Sequence, residues 1–310
     1  MIGKLIVVIV VLVMLVFSLG FFYQSMPKAP VELTASEVIP EPIALVDYGA
    51  VPVFSENLRF NHNIISYFIE DGCVGPRREA MLSAFALFAK KMVIVSFYEV
   101  DADADIDVSC SDNYIPIGEH LFAAGEGGPS RIINTSNFKT IEKGKILLYE
   151  DPRCNSPIVE IHELGHVFGF DHSADPKNIM YNISNCEQEI SDDMIKLIND
   201  LYSIEALPDA VLANVQAVKR GRYLDFNVTV LNEGLVGIDE IDLAIVVGDE
   251  VVQIMEMGEI GIGYGRTLKA TNVKLPSSGV DSVDFVVDRD DNVRELNEGN
   301  NALQMIVSPQ

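Results

Sequence analysis

The first pattern along the chain is an apolar run, Leu5 to Phe22, that carries no charge in 18 residues. That is close to the ~20 residues a helix needs to cross a bilayer. Lys4 precedes it, and because positive charge tends to stay inside, the rest of the chain is expected outside the cytoplasm. Residues 1–26 therefore read as a signal anchor, a single-pass transmembrane helix that tethers the protein to the cell membrane. Ser18-Leu19-Gly20 offers small residues for cleavage and keeps open the alternative of a signal peptide and a secreted product. Pro27, Pro30, Pro40 and Pro42 follow without apolar periodicity, so residues 27–50 read as an extended stalk.

Mixed periods follow. Asn63 to Ile69 reads as a strand, and Pro76 to Lys91 as an amphipathic helix carrying Met81, Phe85 and Phe88. Val93 to Tyr98, Asp105 to Ser109 and Lys145 to Tyr149 read as further strands. Ser191, with Asp192 and Asp193 behind it, caps a predicted helix carrying Met194, Ile195, Leu197, Ile198 and Leu201. From residue 206 the period shortens to two. Leu224, Phe226, Val228 and Val230 alternate with polar residues, and Asn232-Glu233-Gly234 marks a turn. Further strands are expected at Ile241–Val247, Val251–Met255, Thr267–Val273, Val280–Val287 and Ala302–Val307, which together describe a β-sandwich over residues 206–310.

Charge narrows the choice of partners. Lys and Arg total 22 against 46 Asp and Glu, a formal charge of −24. A phosphate backbone would be repelled, so no nucleic-acid partner is expected. In an oxidising compartment Cys73, Cys110, Cys154 and Cys186 are candidates for disulfides. Of the three pairings, Cys154–Cys186 and Cys73–Cys110 are favoured, the first bracketing the segment described next.

Of the five histidines, three fall in one stretch, HELGHVFGFDH, residues 162–172. On a helix His162 and His166 share a face and both reach one ion. Asn155-Ser156-Pro157 is expected to start that helix, and Ile158, Ile161, Leu164 and Phe168 give it an apolar stripe. Gly169 ends it and turns the chain, bringing His172 back toward the pair. Three neutral imidazoles with an open position make a catalytic zinc site. Glu163 sits ~100° further round the helix than His162, poorly placed as a ligand and well placed as general base for a metal-activated water attacking a peptide carbonyl. Chance assembly of this spacing has a probability on the order of 10⁻⁵. His62 and His120 stand alone and read as ordinary surface or loop residues.

With these residues in view, HELGHVFGFDH resembles the elongated zinc motif of the metzincin metallopeptidases. Ser173 after His172, and Asn178-Ile179-Met180-Tyr181 beyond it, are similar to the matrixin branch. The resemblance covers about residues 51 to 205. It implies a zinc endopeptidase for peptide or protein substrates, with His162, His166 and His172 as metal ligands to one zinc ion, Glu163 as base and Met180 in a tight turn beneath the metal. Its implied fold is α+β, a twisted mixed sheet backed by helices. The segment Leu121–Ile133, around Gly125-Glu126-Gly127-Gly128, is by the same analogy the edge facing substrate. Pro152-Arg153-Cys154 superficially resembles the family's latency switch, but a disulfide role for Cys154 is favoured. The C-terminal Asp290–Asn301 segment resembles the end of CARDB-type immunoglobulin-like domains; an accessory role in substrate engagement or surface attachment is expected, and a mere spacer is an equal alternative. Calcium is considered on the acidic run Asp101–Asp107 and on Asp288, Asp290 and Asn292. A solvated turn and strand explains the first, and Val293 and Gly299 stand where a helical calcium loop needs glycine and glutamate. The rival function is a surface adhesion protein with a catalytically silent domain.

Overall fold

A computed structural model describes residues 2–25, 29–36, 46–49, 51–113, 115–118 and 121–307. His120 and three of the stalk prolines, at positions 27, 40 and 42, lie outside them. The chain opens with helix α1 (Ile2–Ser25). Among the described residues no helix is long and apolar enough to cross a membrane, so the expected transmembrane span has no support at this level. The described apolar side chains of α1, Ile9 to Leu19, nevertheless stand exposed.

After a short strand, β1 (Val31–Ala35), come β2 (Leu58–Phe60), β3 (Ile64–Ile69), helix α2 (Pro76–Met92), β4 (Ser96–Glu99) and β5 (Ile106–Cys110). A two-stranded pair, β6 (Ile115–Gly118) with β7 (Leu121–Ala123), leads into the long strands β8 (Gly125–Asn134) and β9 (Lys139–Leu148). Helices α3 (Ile158–Val167) and α4 (Asp192–Ser203) complete the first domain. Strand β9 is the hub of its sheet. It pairs in parallel with β2 and β5, and antiparallel with β8 along its length. Strand β5 continues in parallel to β3, and β3 to β4, leaving β8 as the antiparallel edge.

Helix α2 starts at Pro76, where a missing N–H costs nothing. It buries Met81, Ala84, Phe85, Phe88 and Met92, the period expected of a helix lying on a sheet. Phe85 stacks on Tyr67 of β3 at 4.0 Å, and Phe88 meets Phe168 beyond α3 at 4.8 Å, so one aromatic layer joins sheet, α2 and the histidine segment. Helix α4 is capped as its sequence suggests, with Ser191 Oγ accepting from Met194 N at 3.4 Å. Both favoured disulfides form, Cys73–Cys110 and Cys154–Cys186. The second ties the approach to α3 to the segment following Met180.

The second domain contains β10 (Ala210–Arg220), β11 (Tyr223–Asn232), β12 (Asp242–Val247), β13 (Glu250–Glu256), β14 (Gly265–Lys274), β15 (Ser282–Val287) and β16 (Ala302–Val307). Hydrogen bonding makes one antiparallel sheet, ordered β13-β12-β15-β16-β1-β10-β11-β14. Phe226 of β11 nevertheless meets Phe285 of β15 at 5.1 Å, and both halves share one core, so the sheet folds over on itself as a sandwich. The element at the seam is β1. Leu33 is buried there, opposite Ala217 on one side and Val307 on the other. This corrects the expected stalk: within residues 27–50, Val31–Ala35 is a strand of the C-terminal sheet, extended because it is paired rather than because it is proline-rich.

Candidate active site

Helix α3 buries Ile158, Ile161 and Leu164 against the core and so fixes its polar residues toward the cleft. Its start differs from expectation. Pro157 occupies the cap position, no side chain caps the helix, and Ile158 N bonds to Ser156 O at 2.9 Å. Its end is as expected. Gly169 has φ +92°, Phe170 N returns to Gly165 O at 3.1 Å, and a side chain at Gly169 would meet Leu58 Cδ2 at 2.8 Å.

That turn brings the three histidines together. One nitrogen from each of His162, His166 and His172 lies within 4.8 Å of the others, and among the described residues this is a group able to hold a metal ion. Ring centroids are 4.6, 5.3 and 4.8 Å apart. His162 Nδ1 is 2.7 Å from Ile179 O, and His166 Nδ1 is 2.8 Å from Phe170 O. Each carbonyl requires a donor, so both rings carry hydrogen on Nδ1 and present Nε2 as a lone pair. Burial lowers the His162 pKa to about 4, outweighing the Ile179 carbonyl, and burial lowers that of His166 as well. Neutral, oriented imidazoles are what a zinc donor set requires, so the residues present fit the ion.

Met180 packs against the Gly165 backbone of α3. Its turn is held by Met180 N to Asn178 Oδ1 at 2.8 Å and Ser173 N to Met180 O at 2.8 Å. The sulfur packs where only glycine leaves room, since a Cβ on Gly165 would sit 2.4 Å from Met180 Sδ. Glycine within HELGH thus serves the methionine, a coupling the spacing alone does not disclose.

Glu163 is 6% exposed and faces the same cleft. Burial raises its pKa to about 8, with Glu126 and Glu160 pushing the same way and the Gly127 N–H opposing. Strand β8 passes so close that a Cβ on Gly127 would fall 2.2 Å from the Glu163 carbonyl oxygen, and one on Gly125 2.7 Å from its Cγ. The cleft holds about 700 Å³ and is bounded by Phe122–Gly127, the Glu150–Cys154 segment, α3 and Asn182–Ser184. The Leu121–Ile133 segment therefore lines the cleft at its first half. Glu160, to which the sequence reading gave no role, also lines it.

The remaining candidates have protein partners. His62 Nε2 meets Asp105 Oδ2 at 3.1 Å, far in the sequence from the histidine triplet. Asp103 pairs with Lys143 at 2.8 Å, and Asp105 also accepts from Ser66 N and Oγ at 2.7 Å each. Asp288 accepts from Asn292 N at 3.0 Å and Val293 N at 2.7 Å, an arrangement that builds a turn. Cys154, in its disulfide, offers no free thiol.

Residues 74–203 match the matrixin family model, and residues 207–305 match that of CARDB. Stromelysin-2 of Rattus norvegicus is 27% identical over 188 residues, which is 56% of this chain and 39% of that protein. The chain thus spans well under half of that curated relative. Among solved structures, the CARDB domain of a Pyrococcus furiosus protein in complex with di-metal ions aligns at 16% identity, over 33% of this chain and 88% of that one, with a TM-score of 0.27. The solution NMR structure of that domain aligns at 17% identity over 33% and 94%, with a TM-score of 0.26.

Proposed function

We propose that this chain, which joins a matrixin domain to a CARDB domain, is a zinc-dependent endopeptidase held at the outer face of a cell membrane. The observation that carries the reading is the convergence of His162, His166 and His172 within 4.8 Å, beside the buried Glu163 in one cleft. Zinc bound there would supply a Lewis acid that acidifies water and polarises the peptide carbonyl. The rest falls to side chains of this chain. Ile179 and Phe170 carbonyls orient the two buried imidazoles. Glu163, steadied by the Gly127 N–H, takes a proton from the attacking water and returns it to the departing amine. The unshared edge of β8 is where an extended peptide would pair, main chain to main chain.

The anchor belongs to the same proposal. Residues Leu5–Phe22 are uncharged and α1 is helical, with Ile9–Leu19 exposed. A helix apolar all round is suited to lipid rather than water. Two disulfides fit an extracytoplasmic location. The CARDB domain is assigned an accessory role, engaging substrate or a surface ligand.

The test is a quenched-peptide library cleaved by the full chain in detergent. Cleavage that stops with chelator, returns with zinc and disappears in Glu163→Ala is the expected result. Zinc bound one to one with no cleavage anywhere in the library would replace the enzyme with a binding protein. For the anchor, alkaline carbonate should leave the full chain in the membrane pellet; its release to the supernatant would remove that half of the proposal.

A further inference from the structure

The cleft contains a carboxylate that the peptidase reading does not use. Glu160 is 1% exposed, lines the cleft, and among the described residues its Oε2 has no hydrogen-bond partner. Its carboxyl receives only its own backbone N–H among the interactions resolved there. An acid in the first turn of a helix is favoured by the helix dipole. The dipole does not explain why a buried acceptor is left without a donor, an arrangement that is uncommon in folded proteins and destabilising. Glu160 lies three residues before Glu163 and therefore on the same face of α3.

The surroundings are mostly of the same sign, with Arg77 reaching Asp151 at 3.4 Å from outside the lining. Glu126, Glu150 and Asp151 line the cleft together with Glu160 and Glu163. Arg153 is the one Lys or Arg among the lining residues, and it is committed to Glu150 at 2.5 Å. A bound side chain that brought both positive charge and hydrogen-bond donors would answer both the unpartnered oxygen and the local excess of acid. A carboxylate side chain would be repelled, and an aliphatic one would leave Oε2 as it is.

We propose that Glu160 is a specificity-determining residue, and that the cleft selects peptides with a lysine or arginine next to the bond to be cut. This rests on the peptidase reading above and names its substrate class. The experiment uses the full chain, zinc-loaded, with otherwise identical peptides carrying Lys, Arg, Leu or Glu at one position flanking the scissile bond. The expected kcat/KM ratio of Lys or Arg over Leu is about tenfold or more, the size of a charge-assisted hydrogen bond. In Glu160→Leu that ratio should fall to near one. Glu160→Gln keeps the shape of the side chain, and so tests the charge if the leucine variant fails to fold. A wild-type ratio near one, or a ratio that survives in either folded variant, overturns the proposal. Peptide binding to Glu163→Ala, followed by fluorescence anisotropy, separates this proposal from its premise. If the wild type cuts nothing, the peptidase reading falls, and the Lys-over-Leu binding ratio still decides the role of Glu160.

Discussion

At the residue scale the site depends on where side chains are absent. Gly127→Ala would place a methyl 2.2 Å from the Glu163 carbonyl, which belongs to a helix packed into the core and cannot yield cheaply. Overpacking of this kind costs about 1–3 kcal/mol, and here it also displaces Glu163, the proposed base. Gly128, one residue on, has open space around its Cβ position. We expect Gly127→Ala to lower the melting temperature and remove most peptide cleavage, and Gly128→Ala to change the melting temperature little. Equal melting curves for the two variants would contradict the packing argument. Gly165→Ala meets Met180 Sδ at 2.4 Å instead. Because a thioether is pliable, the expected result is retained folding with weaker zinc binding, read by competition against a metal indicator.

At the element scale, what could be read from the sequence divides by how local its cause is. The convergence of the three histidines was legible because spacing of four on a helix and a glycine turn are local facts. Helices α2 and α4 were legible from their apolar periods, and the Ser191 cap from its type. The start of α3 was misread because Ser156 is a good cap by type, while Pro157 takes the cap position in the fold. Strand β10 escaped notice because its residues are mostly half-exposed and its alternation is weak. Strand β1 escaped because its partners lie near residues 218 and 306, distances no window along the sequence spans. Glu160 looked like an ordinary first-turn acid, and only its missing partner marks it out. The seam role of β1 makes a prediction. Leu33→Ala should cost the C-terminal domain about 2–5 kcal/mol. A chain beginning at residue 51 would open the edges of β10 and β16 and should aggregate on heating. A peptide of residues 29–36 added in trans should raise its melting temperature; a truncated chain as stable as the full one would show that β1 is dispensable.

At the scale of the whole molecule, the two domains carry acids of opposite temperament. Where the C-terminal domain meets the first, Asn137 donates to Asp209 at 3.4 Å; Asp209 and Glu295 are buried, and among the described residues no cation pairs with them, while Asn300 donates to Asp209 at 2.9 Å and Asn301 to Glu295 at 3.0 Å. Burial raises both pKa values, that of Glu295 to about 7, with Glu298 adding to the rise. In the first domain Asp105 is held at about 2 by hydrogen bonds from His62 and Ser66, against the opposing effect of burial. The linkage signs follow. Glu295 binds its proton more tightly folded than unfolded, so its contribution to stability is fully present below its ordinary value of 4.5 and is lost as pH rises through about 7. Asp105 is the reverse: its contribution is present above 3.8 and is lost as pH falls toward 2. We therefore expect calorimetry of the full chain to show the C-terminal transition moving up in temperature from pH 8 to pH 5, with the transition of the first domain falling below pH 4. Glu295→Gln fixes the neutral form, so it should flatten the first dependence and leave the second in place. If the C-terminal transition ran parallel in Glu295→Gln and wild type between pH 5 and 8, the buried acid at the junction would not be what sets it.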